Sequence, residues 1–293
     1  MTQALTYRKL SAIALTPHVL QGLALACARA LFRRTPRQRA RVAQEYEDGA
    51  WKRVRAERRW ERCASLEEFL LGENDEMRIA RVDGACVRIR TKDYYRHRVE
   101  ALTHLMRRYV IGEEVVELGC GYGANLLSLA LRGPWPRLVG LDISENAIAA
   151  GREIVQRFGL GERVRFGRVD LTAADDPGFR EIAGKTAFSY FCIEQVPYSV
   201  AAVVRNILAQ RPRRVIHVES APKLLHLWRP RDLLNYLHVR SMDYQTELLA
   251  VLEKLHADGA IRIVERQRTT FAPTLHNDGF VIVWEPRLAE ISQ

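Results

Sequence analysis

At 293 residues, with 47% apolar residues, the chain can bury a full core and carry one large domain or a domain with an extension, which argues against a disordered or fibrous protein. The net charge of +10 is uneven: residues 1–98 hold 21 Lys/Arg against 12 Asp/Glu, whereas residues 99–293 are close to neutral. Five cysteines, odd in number and without C-x-x-C spacing, suggest neither a zinc site nor a disulfide framework and suit a reducing cytoplasm.

The stretch Ala12 to Phe32 is apolar but interrupted by Pro17, His18, Gln21 and Arg29, too polar for a spanning helix and a poor signal peptide. Leu20, Leu23, Cys27, Ala30 and Leu31 form a helical stripe expected to pack on the protein's own core. With the five arginines of Arg33 to Arg41 beside it, peripheral membrane contact is the second option. Residues 38–70 read as charged helix with Val42, Tyr46, Trp51, Val54 and Trp60 on its apolar side. Arg78 to Arg90 reads as a hairpin turning at Asp83-Gly84 and as a lid. Asp93 is expected to cap a helix reaching about Tyr109.

Val115-Val116-Glu117-Leu118 is then an apolar strand, followed by Gly119-Cys120-Gly121-Tyr122-Gly123 and a helix opening at Asn125. Glycines at alternate positions let the backbone turn and let a ligand approach. Leu138 to Asp142 and Val164 to Asp170 are two further strands ending in acids. Asp142 follows Gly123 by 19 residues, a spacing that suits ribose hydroxyls. Three βα units that each bring a polar group to one sheet edge predict an α/β fold, and the further strands read at Thr186 to Ile193, Arg213 to Ser220, Ile261 to Thr270 and Phe280 to Trp284 extend it to a three-layer, Rossmann-like, seven-stranded sheet, mostly parallel with the last strand antiparallel. Residues 1–93 form a helical and hairpin extension and residues 94–293 the core, with a helical insertion at about 221–257.

This constellation resembles the class I (Rossmann-like) S-adenosylmethionine-dependent methyltransferases over roughly residues 94–220. A nicotinamide or flavin site fits less well, because its G-x-G-x-x-G places the third glycine one residue later. The resemblance implies S-adenosylmethionine as cofactor, with S-adenosylhomocysteine as product. It implies that Glu117 and Gly119, Gly121 and Gly123 cradle the methionine part, that Asp142 takes the ribose, and that Asp170 with Leu171 meets the adenine. Asn125, Ile143, Phe191 and Tyr95 complete the expected cofactor set, with Arg96 an alternative to Tyr95. No metal is expected.

Thr186 to Ile193 is the fourth strand, and Glu194-Gln195-Val196-Pro197-Tyr198 follows where the family places the acceptor. The Asn/Asp-Pro-Pro-Tyr loop of the nucleic-acid and protein N-methylating branch is absent, so a small molecule or glycan is the expected acceptor and RNA or protein, docked through the basic N-terminal region, the alternative. Glu194, Glu219 and His276 are the candidate bases, Glu219 ranking above its strand neighbour His217. Gln195, Tyr198 and Tyr236 are candidate acceptor contacts.

Overall fold

The computed structural model describes residues 7–32, 42, 44–72 and 74–287. The arginine cluster at 33–41 and the start of the expected 38–70 helix lie outside these. In chain order the protein runs β1 (Tyr7–Lys9), α1 (Ala12–Phe32), a π-helical turn (Glu45–Trp51) continued by α2 (Lys52–Glu57), α3 (Leu66–Leu71), β2 (Met77–Val82), β3 (Ala85–Arg90) and α4 (Thr91–Tyr109). The core follows with β4 (Glu114–Leu118), α5 (Ala124–Arg132), β5 (Arg137–Asp142), α6 (Glu145–Arg157), β6 (Val164–Arg168), β7 (Thr186–Tyr190), α7 (Val200–Ala209) and β8 (Arg214–Glu219). Last come α8 (Pro230–Ser241), α9 (Leu248–Ala257), β9 (Ile261–Arg268) and β10 (Phe280–Pro286).

The seven-stranded sheet has the order β6-β5-β4-β7-β8-β10-β9. β4 to β8 are mutually parallel, and β10 lies antiparallel between β8 and β9. Alternation along each strand feeds two cores. Val115, Leu138, Phe166 and Phe188 face α4, α5 and α6. Val116, Leu118, Val139, Leu141 and Ala187 face α7 and α9. Helices thus cover both faces, as parallel strands buried on both sides require.

Several local expectations change. Asp93 does not cap α4, which begins two residues earlier; its carboxylate instead accepts hydrogen bonds from Arg90 (2.7 Å) and Arg96 (3.0 Å). The continuous helix expected through residue 70 breaks at Arg58, whose φ is +41°. The helical insertion consists of two helices, α8 and α9. The hairpin β2–β3 forms with its turn at Asp83-Gly84, but joins β1 in a separate three-stranded sheet. It is bound to the core through Arg81, fully buried, which pairs with buried Asp278; Arg231 reaches the same carboxylate at 3.0 Å. Buried charges persist only when so paired. This anchoring makes the hairpin a fixed brace, and it does not touch the main cavity.

The largest departure concerns α1. Its inward residues are Leu15, Val19, Leu23 and Ala26, packed along α8, whereas Leu20, Cys27 and Leu31 of the expected core stripe point to solvent.

Candidate active site

The parallel register sets the carboxyl ends of β4, β5 and β6 side by side, with Leu118 opposite Leu141 and Asp142 opposite Arg168. Past β4 the chain folds back on β5: the amides of Gly119 and Cys120 donate to the Leu141 carbonyl at 2.7 and 3.1 Å, and Gly121 N donates to Asp142 Oδ2 at 2.7 Å. Gly119 and Gly121 both need positive φ, +67° and +55°. They also need the missing side chain. A Cβ on Gly119 would lie 2.0 Å from Cys192 Sγ, and one on Gly121 would lie 2.7 Å from the Trp51 ring. Gly119→Ala is therefore expected to destabilise the fold by about 2–4 kcal/mol through backbone strain and overpacking, lowering the melting temperature by several degrees in calorimetry.

A cavity of about 320 Å³ opens above this edge. Gly119, Gly121, Asn125, Asp142, Ile143, Asp170 and Leu171 line it from the sheet side, and Phe191, Gln195 and Tyr198 from the turn after β7. The expected cofactor residues other than Tyr95 thus converge, Gly123 capping α5 at φ +86° and Glu117 lying just beneath the floor. Asp142 is held by two amides, Ser144 N (2.9 Å, on Oδ1) and Gly121 N, and burial raises its carboxyl against their pull. Asp170 accepts from Thr172 N and Thr172 Oγ1 at 2.9 and 2.6 Å.

Glu117 accepts from Asn125 Nδ2 on Oε1 (2.6 Å), while its Oε2 is buried without a partner, and burial pushes the carboxyl up to about 8. Asn125 Oδ1 in turn accepts from Arg98 Nη2, and the Arg98 guanidinium lies 5.2 Å over the Tyr190 ring. Arg98 is a residue the sequence reading missed. Tyr95, one turn earlier, does not line the main cavity; it lines an adjoining one of about 240 Å³ together with Arg59 and Arg98. Arg96 turns to Asp93 instead.

A second set of missed residues forms the cover. Val42, Tyr46 and Trp51 line the cavity from above, Tyr46 stacked on Trp51 at 6.2 Å and Trp51 set edge-on to Tyr122 at 5.8 Å. Glu47 fastens this segment: it accepts from Ser144 Oγ and from Asn146 Nδ2 (2.8 Å) at the start of α6, where a carboxylate also meets the positive helix end. The apolar spacing of Val42, Tyr46 and Trp51 was the available signal.

The candidate bases do not reach the cavity. Glu219 Oε1 accepts from Ser189 Oγ (2.7 Å), Cys192 N (2.9 Å) and Ile193 N (3.0 Å), and Oε2 accepts from Glu194 N (3.1 Å). Burial raises its carboxyl to about 7. It holds the turn that carries Phe191 and Gln195. His217 accepts at Nε2 from the Trp284 indole N–H (3.0 Å), a group that only donates, so its proton sits on Nδ1, toward Ser189 Oγ (2.9 Å). Burial lowers its pKa to about 3, leaving it neutral. Glu194 is buried behind the wall, accepting from Ser220 Oγ (3.0 Å) and Gln195 Nε2 (3.2 Å). His276 packs against His238 (5.2 Å between rings) near α1, and Tyr236 packs into the opposite core. Among the described residues no group of metal-ligating side chains could hold an ion.

Fold and edge together define an α/β domain with a site for an adenosyl-type ligand. Residues 115–210, about a third of the chain, match the family model described as a methyltransferase domain, and this part of the chain is a methyltransferase domain built on the Rossmann-like sheet. A 117-residue stretch is 33% identical to the 23S rRNA (uracil(1939)-C(5))-methyltransferase RlmD of Bordetella parapertussis, covering 39% of this chain. The chain spans about a quarter (24%) of the length of that curated relative. Among solved structures, the [4+2]-cyclase SpnF superposes with a TM-score of 0.52 at 14% identity, over 76% of this chain and 93% of that one, a likeness of fold. The residues present fit S-adenosylmethionine: the loop has room only where side chains are absent, and an unpartnered buried oxygen beneath it, Glu117 Oε2, suits the cofactor's ammonium.

Proposed function

We propose that the protein transfers the methyl group of S-adenosylmethionine to a small-molecule or glycan acceptor. The observation that supports this reading is the character of the cavity. It is covered by Val42, Tyr46 and Trp51, walled also by Tyr122, Tyr190, Phe191 and Tyr198, and, among the described residues, lined by no lysine or arginine. A polynucleotide needs an open, basic track for its phosphates; a compact neutral or aromatic acceptor suits a partly enclosed, largely apolar cavity with a few polar groups.

The cofactor supplies an electrophilic methyl group. Glu117, Asp142 and Asp170 bind and orient its polar parts, and the aromatic cover excludes water. Gln195 and Tyr198 position the acceptor for in-line attack, so alignment provides the rate advantage. The lining carboxylates, Asp142 and Asp170, belong to the cofactor side. The acceptor atom is therefore one that attacks without a protein carboxylate or imidazole as base, such as a neutral amine or an acidic hydroxyl. All five cysteines are free, in keeping with a cytoplasmic setting.

The identity with RlmD and the basic N-terminal region favour RNA as the second reading. Labelled methyl transfer to a panel of phenols, amines and sugars, run beside total RNA, separates the two. Transfer to RNA that falls steeply with salt would replace the small-acceptor reading. With an acceptor in hand, Tyr198→Ala is expected to lower kcat/KM about tenfold while leaving cofactor affinity unchanged, as loss of an acceptor contact alone would.

A further inference from the structure

α1 has two apolar faces, and only one is used. Leu15, Val19, Leu23 and Ala26 rest on α8. The other face presents Ile13, Leu20, Ala24, Cys27 and Leu31, at steps of seven, four, three and four residues, all exposed. Ile13 is 85% exposed, Leu31 79% and the adjacent Phe32 80%, far more than isolated surface apolars need. Gly22 lies against Leu234, and Arg29 Nη1 donates to Met242 Sδ at 3.2 Å, so α1 and α8 run side by side in the same direction. That direction puts exposed Leu227 and Trp228, just ahead of α8, toward the starting end of α1.

We propose that this face of α1, with Leu227 and Trp228, lies on an anionic phospholipid surface. Charge selects the occupant. The sequence holds eight Lys/Arg and no Asp/Glu before Glu45. Within the described residues, exposed Arg8 and Lys9 precede α1, and Arg229 lies 4.6 Å over the Trp228 ring. A 21-residue helix offers a convex strip roughly 30 Å long, with no groove to receive a protein segment. Apolar side chains for the acyl boundary, a tryptophan for the headgroup level and cations for anionic headgroups are the two combined signals that stable interfacial binding needs. No helix of the described residues is long and apolar enough to cross a membrane, so the geometry is that of a helix lying on one.

The test is co-sedimentation of the full chain with vesicles of phosphatidylcholine alone and of phosphatidylcholine with equal parts phosphatidylglycerol, at low and high salt. Binding is expected to the anionic vesicles, to be weakened by salt, and to fall about tenfold or more in the double variant Leu20→Asp, Leu31→Asp. Both positions are exposed and line neither cavity, so melting temperature and cofactor affinity should not change. Equal or absent binding to the two vesicle types overturns the proposal. So does a wild-type protein that ignores lipid but self-associates through residues whose variant is monomeric, which would make the face a contact between copies of the chain.

Discussion

Asp142→Asn is expected to weaken S-adenosylmethionine binding about 100-fold in titration calorimetry, because the loss falls on hydrogen bonds to a charged group worth about 1.5–3 kcal/mol each. The carboxylate has two tasks. It accepts the amides of Gly121 and Ser144 on separate oxygens, which shapes the glycine loop and the start of α6. It also faces the cavity, where its remaining lone pairs suit a ribose diol. An asparagine must turn its NH₂ toward one of those amides, so one bond becomes a donor–donor clash. The melting temperature should fall much less than affinity does. Burial already disfavours the charged carboxylate, and a neutral amide recovers part of that desolvation. Asp170→Asn is the useful comparison: Asp170 is occupied by the amide and hydroxyl of its neighbour Thr172, so its replacement leaves the glycine loop intact and should be milder. Unchanged affinity in Asp142→Asn would show that the ligand does not sit over these sheet tips.

What was legible in the sequence follows from periodicity, and what was not follows from long-range choices. β4 and β5 are short apolar runs with Glu117 and Asp142 at their carboxyl ends, and β6 leads to Asp170 two residues past its end, so both the sheet and its polar edge were readable, as was Ser144, whose Oγ caps α6 by accepting from Ala147 N at 3.1 Å. The cover was readable only as an apolar spacing. Its position depends on Glu47 finding Ser144 and Asn146 almost 100 residues away, and no local pattern encodes that. For α1, spacing identified which residues share a face but not which face is buried. With apolar residues on both sides, the answer came from the fit of Leu15, Val19 and Ala26 against α8. Alternation likewise put His217 and Glu219 on one strand face correctly. It could not tell that Trp284 would occupy the imidazole, or that three backbone amides would occupy the carboxylate.

The second large effect expected is proton release on cofactor binding. Burial pushes Glu117 up to about 8 from its ordinary 4.5, so in the ligand-free protein at pH 7 the carboxyl is mostly protonated. An ammonium beside the unpartnered Oε2 favours the ionised form, and binding then expels up to about one proton. Affinity should rise with pH, by up to about tenfold per unit between pH 6 and 8, and level off above that. Stability of the ligand-free protein runs the opposite way. A carboxyl whose folded pKa is raised contributes most below its unfolded value, and that contribution is lost as pH climbs through 8; Glu219, raised to about 7, acts in the same direction. Glu117→Gln keeps an acceptor for Asn125 without the titration. At pH 8 it should melt roughly 5 °C higher than the parent, since a neutral amide replaces a buried carboxylate. It should bind the cofactor at least about tenfold more weakly, because the ammonium loses its charged partner. Calorimetry in two buffers of different ionisation enthalpy counts the protons directly. Equal counts for parent and variant would mean that Glu117 does not meet the ammonium.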